Sequence, residues 1–187
     1  MRLFAAVLPP PAAVEELRRA VQPLRALPGA PALRWTDVRG WHYTLAFFGE
    51  PADALLPGLY AELAEAARRT APFALRVDGG GRFGGRALWA GASGEPDALR
   101  LLAGRTAAAA GRAGVSLEKH RDYVPHLTLA RSRAEADLGP FTAGLADFAG
   151  TPWQAAALSL VRSDPQAGGA PGGRPRYEVV RAWPLGR

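Results

Sequence analysis

Cysteine is absent from this chain of 187 residues. That excludes disulfide frameworks, thiolate zinc sites and cysteine nucleophiles, and it fits a reducing compartment. Lysine occurs once, as Lys119, so a P-loop or Schiff-base lysine could only be that residue, and its surroundings match neither motif. No apolar stretch approaches the ~20 residues that a membrane-spanning helix needs. The apolar opening, residues 1–8, is brief and runs into Pro9-Pro10-Pro11. It reads as a first β-strand and not as a signal peptide, so a cytoplasmic protein is expected. Acidic residues are scattered without pairing and no Gly-x-Ser-x-Gly run exists, which leaves glycosidase and serine-hydrolase chemistry without support.

What the chain does carry is arginine. The net charge is +6 and the sequence pI is about 10.6. Such a balance favours an anionic partner, phosphate or nucleic acid, or else reflects base composition alone. With 48% hydrophobic and 21% charged residues the chain is globular. Apolar spacing predicts helices over 12–27 (interrupted at Pro23), 54–70 and 97–113. Strands are expected over 41–49, 73–77, 87–90, 123–130, 155–161 and 177–182, with the glycine-rich run 79–85 as a plain hairpin connection. Helices are too sparse for a doubly wound sheet, so the class is α+β. The stretch 164–175, rich in Gly and Pro, reads as a mobile loop.

Two of the three histidines open the same tetrapeptide. His42-Tyr43-Thr44-Leu45 and His126-Leu127-Thr128-Leu129 both read His-x-Thr-Leu, 84 positions apart (42 to 126), close to half the chain. A duplicated lobe, with one motif in each half of a single domain 1–187, accounts for that spacing. In a strand, residues i and i+2 share a face, so each histidine projects beside its threonine while Tyr43, Leu45, Leu127 and Leu129 turn into apolar packing. If the lobes meet about a pseudo-twofold axis, two imidazoles and two hydroxyls surround one point. Imidazole works as acid or base near neutral pH, and threonine can hold an oxyanion. That set suits a phosphodiester without a metal. A metal site is the rival, but two histidines with no carboxylate in either motif are a poor ligand set.

With these motifs and their flanks the chain resembles the 2H phosphoesterase superfamily, and within it the bacterial RNA 2′,3′-cyclic phosphodiesterases, also called 2′-5′ RNA ligases. The likeness includes Arg2-Leu3-Phe4-Ala5-Ala6, Arg34-Trp35, His42 to Glu50, Leu88-Trp89-Ala90-Gly91, Pro125 to Arg131, and Leu160-Val161-Arg162-Ser163 followed by Tyr177. The resemblance implies a bilobal fold with a central cleft and no cofactor. It also implies hydrolysis of an RNA-terminal 2′,3′-cyclic phosphate to a 2′-phosphate, with ligation as the reverse reaction. It makes His42 the acid and His126 the base, with Thr44 and Thr128 on the phosphate, and it matches Arg131 to an arginine that follows the second motif. Strand parity disagrees on Arg131, because an odd offset from His126 points it to the opposite face unless the strand ends or bulges. Arg34 and Trp35 are further candidates for a base or phosphate at the cleft mouth, although Trp35 could equally be a packing residue. Phe4 and Tyr177 could flank a nucleobase or belong to the core. His120, between Lys119 and Arg121, reads as a solvated loop residue. The expected partners are RNA ends or nucleoside 2′,3′-cyclic phosphates, with no membrane and no obligate protein partner, in a monomer. One alternative within the superfamily is a phosphodiesterase of another small cyclic phosphate, such as a cyclic nucleotide or ADP-ribose cyclic phosphate; the rival from another class is an RNA-end-binding module without turnover.

Overall fold

The computed structural model describes residues 1–117, 122–164 and 175–187. Among these residues nine strands, β1 (Arg2–Val7), β2 (Arg34–Trp35), β3 (Tyr43–Gly49), β4 (Phe73–Phe83), β5 (Ala87–Gly94), β6 (Leu127–Arg131), β7 (Trp153–Ala155), β8 (Ala157–Asp164) and β9 (Arg176–Pro184), form one sheet. Four α-helices among the described residues, α1 (Pro11–Val21), α2 (Leu56–Arg68), α3 (Pro96–Arg112) and α4 (Gly139–Leu145), pack on it. The strand order is β7-β4-β5-β6-β3-β1-β8-β9, with β2 added against β6, and every pairing is antiparallel. The class is α+β.

The sheet has a seam. Its halves, β3-β1-β8-β9 and β7-β4-β5-β6, are joined between β3 and β6 by one aligned pair, Tyr43 with Leu127. Each half contains a strand–helix–strand unit, β1-α1-β3 in one and β5-α3-β6 in the other. The chain then crosses over: β4, which follows α2, pairs with β5 in the other half, and after α4 and β7, which stays beside β4, β8 crosses back to pair with β1. The halves are therefore interleaved, and α3 of the second unit lies against β3 of the first. Two tyrosines close the seam. The fully buried Tyr43 donates its hydroxyl to the carbonyl of Gly91 (2.8 Å), and Tyr123 donates to the carbonyl of Thr44 (2.7 Å).

The first predicted helix ends early. α1 stops at Val21 and a 3-10 turn carries Gln22–Ala26, because Pro23 has no N–H to give and its ring would crowd the preceding turn. The glycine-rich run is not a simple connection: β4 continues through it to Phe83, with a bulge between Asp78 and Gly80. Gly81 is required there. A Cβ on it would stand 2.3 Å from the ring of Trp89, its partner in register on β5. The unassigned stretch before β8 supplies α4 and β7. The expectations for Lys119, for His120 and for most of the loop 164–175 lie outside the described residues.

Candidate active site

The repeat is structural as well as textual. From position 41 to 47 and from 125 to 131, the two segments run through the same sequence of environments, 84 positions apart. Trp41 and Pro125 are buried, the histidines are partly buried, and Tyr43 and Leu127 are buried. The threonines are partly open, the Leu-Ala pairs are buried, and Phe47 and Arg131 are exposed. Each histidine sits one residue before its strand, at the seam. Each also uses its ring in the same way: His42 Nδ1 lies 2.6 Å from the carbonyl of Gly40, and His126 Nδ1 lies 2.7 Å from that of Val124. A carbonyl only accepts, so Nδ1 carries the proton and Nε2 is left as the working nitrogen.

Both rings stand against aromatic walls. Phe4 (4.6 Å between centroids) and the edge of Tyr177 (5.4 Å) flank His42, while Phe83 (4.8 Å) and Trp89 (6.2 Å) flank His126. Tyr177 lies so close over Gly40 that a Cβ there would be 2.7 Å from its ring, so a glycine under the tyrosine lets the Gly40 carbonyl hold His42. Burial pushes the His42 pKa from its ordinary 6.5 down to about 4, and the positive charge of Arg131 and His126 acts in the same direction. Burial lowers His126 as well, again aided by Arg131, against the opposing bond to Val124. Both imidazoles are thus neutral in the free protein at pH 7.

One cavity of about 270 Å³ collects the motif residues. Its lining includes His42, Thr44, His126, Thr128 and Arg131, together with Arg2, Phe4, Thr36, Phe47, Ser163 and Tyr177. Among the described residues no carboxylate lines it, and no three His, Asp or Glu side chains are grouped to hold a metal ion. The result is a pocket of hydroxyls, neutral imidazoles and guanidinium, built for an anion.

The parity conflict over Arg131 resolves in the register. Along β6, Ala130 pairs with Leu88 and Thr128 with Trp89, so Leu129 is an extra residue with no partner on β5. That bulge lets Leu129 and Ala130 both turn inward, and it returns Arg131 to the face of His126 and Thr128. β3 carries the matching bulge at Leu45, between Ala46 opposite Ala5 and Thr44 opposite Ala6, which brings Phe47 into the same cavity. Extending the 84-residue repeat by two positions, to Phe47 and Arg131, would have found Phe47. Arg2 and Ser163 lay in stretches that carry the family likeness, with no role attached, and Thr36 had no signal.

Trp35 and Arg34 are not in the cavity lining. The indole of Trp35 donates to the carbonyl of Ala30 (3.0 Å) and its ring packs against Phe141, so this side chain belongs to the core. Arg34 is exposed, in register opposite Arg131. Phe4 is buried and yet forms part of the cavity wall, and Tyr177 is half-buried in that wall.

An antiparallel sheet split at a seam, with one His-x-Thr strand start on each side of a shared anion pocket, defines a protein of the two-histidine phosphoesterase class. The chain belongs to the 2′-5′ RNA ligase superfamily, whose sequence model matches residues 8–167. It is 31% identical over 195 residues to the RNA 2′,3′-cyclic phosphodiesterase of Thermus thermophilus, covering 99% of this chain and 90% of the relative. It is likewise 31% identical over 160 residues to the RNA 2′,3′-cyclic phosphodiesterase of Geobacillus stearothermophilus, covering 83% of this chain. The matched region spans about half of that second relative, 48% of its length. Among solved structures, apo LigT of E. coli superimposes with a TM-score of 0.77 at 25% identity, and TT0787 of Thermus thermophilus with 0.73 at 29%. Each comparison covers 100% of this chain and 98% of the other.

Proposed function

We propose that the protein is a phosphodiesterase that opens 2′,3′-cyclic phosphates at RNA ends to 2′-phosphates, by acid–base catalysis between two histidines and without a metal. One observation carries this reading: two imidazoles, each fixed through Nδ1 to the carbonyl two residues before it, share one anion pocket with two threonines and an arginine. The names of the Thermus and Geobacillus relatives support the choice of substrate. The chain works as one unit of two interleaved lobes, acting in the cytoplasm.

The cyclic diester carries one negative charge, which offsets the burial and the cationic neighbours that keep the imidazoles neutral. One histidine can therefore be charged in the complex. His126 Nε2 takes a proton from water as its oxygen attacks phosphorus. The bond from phosphorus to the 3′-oxygen breaks, and protonated His42 gives its Nε2 proton to that oxygen. Thr44, Thr128 and Arg131 hold the nonbridging oxygens as charge builds on them. The apolar wall around His42 makes its imidazolium a strong acid, which suits donation to a departing alkoxide.

The test is hydrolysis of a 2′,3′-cyclic nucleotide in excess EDTA, with the product identified by phosphorus NMR. A 2′-phosphate at undiminished rate is expected. A 3′-phosphate would exchange the roles of the histidines or turn the substrate round. Loss of turnover on chelation, restored by a divalent ion, would overturn the mechanism.

A further inference from the structure

Arg34 and Arg131 stand directly opposite each other on β2 and β6. Cross-strand neighbours of this kind have Cβ atoms about 4.5–5.5 Å apart, on the same face, and two like charges so placed destabilise a sheet. Neither guanidinium has an ion-pair partner among the described residues, although many other arginines of this chain are paired to Asp or Glu. A second observation puts Arg34 on the cavity side. β2 carries Arg34 and Trp35, and the next residue, Thr36, continues the ladder by donating its N–H to the carbonyl of Leu129 (2.8 Å); Trp35 turns into the core and Thr36 lines the cavity. Arg34, two residues before Thr36, therefore shares its face, one step further out. Arg131 is in the wall and Arg34 is at the rim.

We propose that Arg34 is the subsite for a second phosphate, the phosphodiester that joins the terminal nucleotide to the rest of an RNA strand. This rests on the reading above, in which the terminal cyclic phosphate lies by Arg131, and it names the substrate as a polymer end in preference to a free nucleotide. An anion on each guanidinium relieves the repulsion between them. It also gives a use to the uncompensated pair of cations where β2 fills the gap beside the seam.

The experiment compares three substrates with the unaltered protein: a 2′,3′-cyclic mononucleotide, a short oligonucleotide with a 2′,3′-cyclic end, and the same oligonucleotide with an uncharged methylphosphonate at the penultimate linkage. The charged oligonucleotide should exceed the other two in kcat/KM by about tenfold, the scale of one hydrogen-bonded charge contact. In Arg34→Ala that advantage should vanish, and the oligonucleotide's log–log salt slope should fall by about 0.7. Arg34→Lys should keep part of both. Equal rates on charged and neutral linkages in the unaltered protein would overturn the subsite while leaving the proposed function standing, and no variant is needed to see it. A charge preference that survives Arg34→Ala would place the phosphate elsewhere and also overturn it. No turnover on any of the three would overturn the function and the subsite together.

Discussion

His42 is a neutral imidazole held in a place that disfavours its charge, and this makes a stability prediction. Burial against Phe4 and Tyr177 sets its pKa at about 4, against 6.5 when the chain is unfolded. Between those values the unfolded chain binds a proton that the folded chain refuses. Stability is therefore complete above pH 6.5 and drains away as pH falls toward about 4. The difference amounts to about 3 kcal/mol once pH is below both values. The perturbation is His42→Gln, which is close in size and cannot charge. Urea unfolding of both proteins from about pH 7.5 to about pH 4 would give two curves, and their difference removes the titration of residues such as Glu15 and Glu65, common to both. The unaltered protein should lose up to about 3 kcal/mol relative to the variant across that range, most of it below about pH 6. Inorganic phosphate should shrink the loss, because an anion in the cavity favours the imidazolium. A difference that stays flat across the whole range would refute the claim that burial controls this histidine.

Other expectations concern the reaction and the packing that supports it. His42→Ala and His126→Ala should each lower kcat by at least ~10²-fold, with Thr44→Ala and Thr128→Ala costing less, since each threonine offers one neutral hydrogen bond; steady-state kinetics decide. The pH profile of kcat/KM should be a bell with its maximum below 6.5, because one imidazole must be charged and both free-protein pKa values are lowered. Gly81→Val should cost about 1–3 kcal/mol in urea unfolding by driving a side chain into Trp89. It should also lower kcat, since Trp89 backs His126. Tyr43→Phe removes the hydroxyl bond to Gly91 across the seam and should cost about 1 kcal/mol in the same assay.

The pairing of each histidine with its threonine was legible in the chain because strand alternation is local. A His-x-Thr pattern in an apolar run puts both side chains on one face whatever the rest of the fold does, and two copies half a chain apart imply a second half that mirrors the first. The α+β class followed from the same kind of local evidence. What local pattern could not supply was the extra residue. Alternation from His126 sends Arg131 away from the site, and only the pairing of β6 with β5, which skips Leu129, brings it back. A bulge is a property of two strands together, so one strand's sequence does not announce it. The same limit applied to Arg34 and Trp35, which are adjacent in sequence and similar in promise. Pairing of β2 with β6 set the arginine opposite Arg131, outside the cavity lining, and contact with Phe141 took the tryptophan into the core. The glycines of 79–85 read as a connection because glycine favours turns. The tertiary structure made most of them strand, since Trp89 needs the space that a Cβ at Gly81 would occupy. Sequence alone determined which histidine and threonine stand together on each strand, because alternation along one strand is enough to pair them. Register between strands, which depends on partners distant in the chain, decided which charges and rings surround them.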